Sequence, residues 1–250
     1  MKLASIEHTI QTLYRRGDVV EIRAIRLDGG KPITSIGRYP YGSQIVGILE
    51  SFDQDPVGFN LYICLNPVTL PPRVLCGSHF AADRSQIARR RWMLLDGDPR
   101  RDFIRDESGQ PVVYPKIDKD GQPLLNPDGA SQVEYRRHKV ATEEECHAAF
   151  VVMSRVRDYL LERGFPQVIL ACSGNGWHVL VLVDLANDAP SKRLIEGVQA
   201  TVRGLFSTAE VDVQTFSDAN RITRCYGSLN RKGREAPNRS YRRSGVLEEE

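Results

Sequence analysis

Asp96 and Asp98 stand two residues apart at the end of the apolar run Trp92-Met93-Leu94-Leu95. On a strand, residues two apart point to one face, so both carboxylates can aim at one point. Two carboxylates that close repel each other unless a cation lies between them. A D-x-D pair by itself also arises in turns, helix caps and sugar-transferase metal sites. The buried run in front of it places this pair rigidly and favours metal binding. A third carboxylate, Asp212, follows in the brief stretch Val211-Asp212-Val213. Oxygen donors of this kind suit hard divalent cations.

Two further segments supply different chemistry. Ser173-Gly174-Asn175-Gly176-Trp177-His178 reads as a glycine turn that delivers a hydroxyl and an imidazole into a following strand. Glycines let backbone amides approach an anion closely. His178 can donate to a phosphate oxygen; the alternative is a tight hairpin with a buried, satisfied histidine. After Asp212 come Arg221, Arg224, Asn230 and Lys232, disposed around a turn at Gly227. Guanidinium forks match phosphate oxygens, and a lysine adds a point charge. Carboxylates for divalent metals, together with cations and amides for phosphates, are what a phosphoryl-transfer site requires.

The cations are clustered although the net charge is only +2. Between positions 221 and 243 stand Arg221, Arg224, Arg231, Lys232, Arg234, Arg239, Arg242 and Arg243, opposed in that stretch only by Glu235. Arg84, Arg89, Arg90 and Arg91 form a second cluster. Local basic density with modest net charge points to a polyanion groove. Surface salt bridges are the competing reading, and the scarcity of nearby acids argues against them.

These residues need elements to hold them. Leu3, Ile6, Ile10 and Leu13 recur at helical spacing, with Gly17 as a stop. Val20, Ile22 and Ala24 alternate as a strand, and Gly29-Gly30 with Pro32 marks a turn. A helix is expected over 43–52 and a strand over 58–65, ending at Asn66-Pro67. A short buried strand over 91–95 carries Asp96 and Asp98 just past its end. Thr142-Glu143-Glu144-Glu145 is a capping box ahead of the stripe Ala149, Val152, Met153, Val156 and Leu160. Strands are expected over 168–171, 178–183 and 211–213, with a helix marked by Leu194, Ile195, Val198, Val202 and Leu205 between the last two. The order strand, helix, strand, strand, helix, strand reads as an α+β core of the ferredoxin-like, RRM-like type. Residues 1–80 form an N-terminal α/β module beside it, and 81–245 the RRM-like module. Residues 101–141 differ in character. The run beginning Asp106-Glu107-Ser108-Gly109-Gln110-Pro111 is echoed by that beginning Asp118-Lys119-Asp120-Gly121-Gln122-Pro123, which predicts a β-ribbon-like insertion.

Composition narrows the class. A chain of 250 residues suffices for one large domain or two intimate modules. No apolar run is long enough to cross a bilayer, and the first residues lack a signal-peptide core, so a cytoplasmic protein is expected and no membrane partner. Five scattered cysteines without a C-x-x-C pair fit a reducing compartment, and zinc is not expected.

Taken together, the motifs resemble the archaeo-eukaryotic primase superfamily, in its bacterial, plasmid and phage primase-polymerase branch. That family carries an acidic D-x-D or D-x-E after a hydrophobic strand, a small-residue turn leading to histidine, and a later hydrophobic-Asp. Arg-x-x-Arg and Gly-x-x-Asn-x-Lys elements follow. The counterparts here are Asp96 and Asp98, residues 173–178, Asp212, Arg221 and Arg224, then Gly227, Asn230 and Lys232. Asn66-Pro67 and the stretch Arg239-Ser240-Tyr241-Arg242-Arg243 extend the likeness over most of the chain except 101–141. Asn175 is a departure, since some relatives place a basic residue inside the turn.

The resemblance implies a DNA primase and DNA-directed polymerase working by two-metal nucleotidyl transfer. Asp96, Asp98 and Asp212 would bind two Mg²⁺ or Mn²⁺ ions, and Ser173, His178, Arg221, Arg224 and Lys232 would position the triphosphate. Asn230 would contact sugar or phosphate. Single-stranded DNA template and primer, dNTPs or NTPs, and a helicase or C-terminal domain outside this chain are the implied partners. The competing expectations are a gap-filling repair polymerase of the same superfamily, a non-catalytic origin-binding initiator, and a metal-dependent nuclease.

Overall fold

Ser5 starts the first helix: its side chain accepts a hydrogen bond from the His8 amide, and Ile6, Ile10 and Leu13 of α1 (Ile6–Leu13) turn inward. Leu3 lies ahead of this cap and bridges instead to Leu247. The computed structural model describes residues 2–28, 31–118 and 122–248. Strands β1 (Val19–Asp28) and β2 (Lys31–Pro40) pair antiparallel from Val19↔Pro40 to Asp28↔Lys31. Gly29 and Gly30 lie outside the described residues, and Pro32 falls within β2 rather than in a turn. Pro32, Gly37 and Pro40 disguise β2 in the sequence, because such residues are poor strand formers. Helix α2 (Ser43–Gln54) follows, burying Ile45 and Leu49, and then β3 (Asn60–Cys64) and β4 (Arg73–Cys76). The fifth strand of this sheet is Ile222–Arg224, from the far end of the chain, which pairs with β3. The N-terminal module therefore borrows an edge strand from beyond position 80.

The second sheet begins with β5 (Arg90–Pro99), longer than the sequence suggests and including both Asp96 and Asp98. Beyond the insertion, which contributes β6 (Val113–Pro115) and β7 (Val133–Tyr135), the chain runs through α3 (Glu143–Glu162), β8 (Val168–Cys172), β9 (Trp177–Leu185), α4 (Ala189–Phe206) and β10 (Val211–Phe216). After β11 (Ile222–Arg224) come β12 (Leu229–Asn230), β13 (Arg242–Arg243) and β14 (Gly245–Val246). The sheet order is β10-β5-β9-β8-β14, and every neighbouring pair is antiparallel. The protein is a mixed α+β fold. The capping box at Thr142 forms: the Glu145 amide donates to the Thr142 hydroxyl and the Glu145 carboxylate accepts from the Thr142 amide.

Strand alternation divides this second sheet's contacts. Met93, Leu95, Val179, Val181, Val211 and Val213 face α3 and α4. Trp92, Leu94 and Leu180 face the first module, packing with Val20, Ile22, Leu61 and Ile63 and with α1 and α2. Asn66 ties the modules together, accepting from the Trp92 amide at 2.9 Å and donating to the Ala219 carbonyl at 3.0 Å. Asp96 and Asp98 continue the alternation of Trp92 and Leu94, so they lie on the face turned towards the first module.

Besides the two echoing segments read from the sequence, the second of which has residues 119–121 outside the described residues, the insertion has a third such segment at 126–130. Asp106, Asp118 and Asn126 each donate their amide to the carbonyl four residues on, at 2.9, 2.8 and 2.8 Å. The third turn is hidden because asparagine replaces the leading aspartate. Two rings of backbone hydrogen bonds hold the unit together: Ile104 donates to Arg136, Arg136 to Val112 and Val112 to Ile104. Lys116, Gln132 and Leu124 close a second ring in the same way. The short β6–β7 ribbon lies between these rings.

Candidate active site

Register brings the acidic residues together. In the antiparallel pairing Asp96 sits opposite His178 on one side and Gln214 on the other, while Asp98 sits opposite Asp212. Directly paired residues share a face, so Asp96 and Asp98 on β5, Asp212 on β10 and His178 on β9 lie on one surface of three adjacent strands. His178 Nε2 stands 3.3 Å from Asp96. Asp98 is gripped by Arg101 and lies 3.5 Å from the Gln214 amide group. Asp212 reaches Arg203 at 3.4 Å. A cavity of about 140 Å³ opens beside Asp96 and Asp98. His178, Ser173, Arg221, Arg224, Asn230 and Lys232 all line it, whereas Asp212 stands outside the lining.

The glycine turn is built by close contact. Ser173 donates to the Gly176 carbonyl through both its amide, at 2.9 Å, and its hydroxyl, at 3.1 Å. Gly174 has φ +90°, and a Cβ on it would meet the Asn230 side chain at 2.7 Å. A Cβ on Gly176 would lie 2.5 Å from the Gly97 carbonyl oxygen, between the two aspartates of β5. Asn230 donates to the Ser173 carbonyl at 2.7 Å and accepts from the Lys232 amide at 3.0 Å. Its side chain therefore fixes the turn and orients Lys232. His178 is buried and engaged at both nitrogens, as Nδ1 lies 2.6 Å from the Tyr226 hydroxyl.

A cationic wall faces the acids. Arg221 stacks on Phe216, 3.3 Å from the ring centroid. Arg224 lies over Tyr62 at 4.6 Å and donates to Asn60 at 3.1 Å. Burial pushes the pKa of both guanidinium groups down, with Asp96 opposing the shift at Arg221. Arginine starts so high that both remain charged. Burial pushes the Asp96 carboxyl up, but His178, Arg221 and Lys232 outweigh it and hold its pKa below the ordinary value. Arg101 Nε, Asn175 Nδ2 and Arg221 Nε are buried donors with no hydrogen-bond partner, and all three residues line this cavity. Arg101 stands only three residues past Asp98, but its second contact, with the Asn175 carbonyl 74 residues away, depends on the glycine turn packing beside β5 and has no local signal in the sequence.

The rest of the basic run is less available than its sequence suggests. Arg231 and Arg243 pair with Asp53, Arg239 with Glu145 and Arg242 with Glu143. In the other cluster Arg91 pairs with Asp18, Arg89 with Asp184, and Arg90 donates to the Ser217 carbonyl. The expected shortage of acidic partners is thus corrected: the partners come from remote segments. Arg221, Arg224 and Lys232 are the members of the run that line the cavity.

Hard oxygen donors on one face suit Mg²⁺ or Mn²⁺. Among the described residues no group of three His, Cys, Asp or Glu side chains stands ready to hold a metal, and Arg101 and Arg203 supply the positive charge at Asp98 and Asp212. No helix among the described residues is long and apolar enough to cross a membrane. No family model, curated protein or solved structure matches the chain.

Proposed function

We propose that the chain is a template-directed nucleotidyltransferase of the primase-polymerase kind, built on an RRM-like core. For the core, the support is the succession β5, α3, β8, β9, α4, β10 with strand order β10-β5-β9-β8, which is the antiparallel interleaving expected of that fold. For the function, one observation carries the reading. Arg221, Arg224 and Lys232 line the same cavity as the carboxylates of Asp96 and Asp98. Guanidinium forks and an ammonium group suit an anionic ligand with several oxygens, beside carboxylates suited to a divalent metal. A nucleotide's triphosphate has that chemistry.

In this reading Arg221, Arg224 and Lys232 bind phosphate oxygens, and the aromatic rings under both arginines fix the direction of their forks. Asn230 holds Lys232 and the turn in place, and His178 holds Asp96. Asp96, Asp98 and Asp212 would hold two Mg²⁺ or Mn²⁺ ions, whose chemistry is activation of a primer hydroxyl and stabilisation of leaving pyrophosphate.

The test is incubation with single-stranded template, mixed nucleotides and Mg²⁺ or Mn²⁺, with and without primer, followed by product sizing. Wild type is expected to extend a primer. Asp96→Asn is expected to lower incorporation by about 10²-fold or more, the scale of losing a group that stabilises developing charge. Arg221→Ala is expected to raise the nucleotide KM about tenfold, the scale of one charge-assisted hydrogen bond. Incorporation by Asp96→Asn at near the wild-type rate overturns the assignment. Products from unprimed template separate a primase from a gap-filling polymerase.

A further inference from the structure

A groove lies on the insertion, outside the site described above. It encloses about 810 Å³. Lys116, Arg136, Arg137 and Lys139 line it, against the single carboxylate of Glu134. Asp106, Asp118 and Asp128 each accept from an amide of their own segment.

Aromatic rings alternate with the cations. Tyr114 and Tyr135 both line the groove, and they are 44% and 56% exposed. The β6–β7 register places Tyr114 on one face of the ribbon and Tyr135 on the other, so the groove curls over the ribbon's edge. Each face already carries a stack of cation on ring. Arg136 lies 5.2 Å from the Tyr114 centroid and donates to its hydroxyl at 2.8 Å. Arg137 lies 3.9 Å from Phe103, whose ring is 5.2 Å from that of Tyr135. Exposed rings and guanidinium planes are the surfaces on which unpaired bases stack, and the lysines can follow a phosphate backbone. A paired duplex hides its base faces and makes no use of the tyrosines.

The groove also adjoins the proposed catalytic cavity. Lys139 at its foot packs against Gly233, next to the cavity residue Lys232. Arg137 donates to the carbonyl of Arg101, whose guanidinium grips Asp98.

We infer that the insertion is a docking surface for single-stranded nucleic acid, holding a strand by base stacking on Tyr114 and Tyr135 and by phosphate contacts with Lys116, Arg136, Arg137 and Lys139. The assignment rests on the polymerase reading only in identifying that strand as the template.

The test measures fluorescence anisotropy of a labelled 30-residue oligo-dT in EDTA without nucleotide, so that incorporation plays no part. Tyr114→Ala with Tyr135→Ala is expected to weaken binding by about tenfold per ring, with the thermal midpoint unchanged. Lys116→Ala with Lys139→Ala is expected to reduce the slope of log affinity against log salt by about 1.4, since each single-strand phosphate contact contributes ~0.7. A 30-base-pair duplex is expected to bind more weakly than oligo-dT. Oligo-dT affinity unchanged in the folded tyrosine variant overturns the inference and leaves the polymerase reading standing. Competition by poly-glutamate as effective as that by oligo-dT also overturns it, in favour of an acidic protein partner. A wild type that binds oligo-dT through the tyrosines yet incorporates nothing sinks the polymerase reading alone and leaves the docking surface in place.

Discussion

The two ring nitrogens of His178 link the site to the interior. Asp96 has a lowered pKa and therefore acts as an acceptor, so the histidine must donate to it from Nε2. Burial pushes the Tyr226 phenol far up, and it stays protonated. Nδ1 lies 2.6 Å from the Tyr226 hydroxyl, which in turn lies 2.9 Å from the Thr223 hydroxyl. The chain Thr223, Tyr226, His178, Asp96 thus orients one carboxylate from the interior. Tyr226→Phe leaves Nδ1 with only the longer contact to the Thr223 hydroxyl at 3.4 Å, and the expected cost is about 1 kcal/mol of stability. Urea unfolding reads that loss, and steady-state kinetics are expected to show a fall in kcat larger than any change in nucleotide KM. A variant with wild-type stability and kcat would remove Tyr226 from this role. Asp96 and His178 stand out in the sequence because each ends or begins an apolar run. Tyr226 and Thr223 do not: Thr223 reaches His178 through pairing of β11 with β3, and Tyr226 from the turn just past that strand, which no local pattern announces.

Between residues and fold, the same side chains close elements as well as join them. Glu145 caps α3, a role legible from the spacing Thr142 to Glu145, and it also pairs with Arg239 at 2.6 Å, which is not legible across 94 residues. The basic tail shows the same limit, since its partners Asp53, Glu143 and Glu145 sit on α2 and α3. Burial pushes the Glu145 carboxyl up, but hydrogen bonds from Arg239, Thr142 and Asp102 outweigh it, so its folded pKa lies below the ordinary 4.5. A depressed carboxylate stabilises the fold above its unfolded pKa, and that contribution fades as pH falls through the folded value. Glu145→Gln is therefore expected to be less stable than wild type at pH 7, and the gap is expected to narrow below about pH 4.5. Urea midpoints across that range check it; a gap that stays constant would place the pair's contribution elsewhere.

On the scale of the whole molecule, the strand and helix order of the second sheet follows from hydrophobic period, whereas its joining to the first sheet does not. The first sheet's edge strand, Ile222–Arg224, is three residues long and basic at its end, too short to show a period. The insertion hangs from a narrow neck, where Phe103 bridges to Arg137 and Ile104 donates to Arg136 at 2.8 Å. Replacing residues 105–135 with Asn-Gly, a pair suited to a two-residue hairpin turn, is expected to shift the melting midpoint by less than about 5 °C, while oligo-dT affinity falls. Calorimetry and anisotropy on the same preparation check both halves, and a collapsed melting transition would mean that the core depends on the insertion. The pairing of β11 with β3 also has a temporal side. During synthesis β3 emerges about 160 residues ahead of its partner. At about 5–20 residues per second the ribosome takes ~10–30 s to supply it. Throughout that interval the nascent N-terminal sheet carries a bare hydrogen-bonding rim, which makes it a client for ribosome-associated chaperones and gives slow translation of the central region a direct effect on yield.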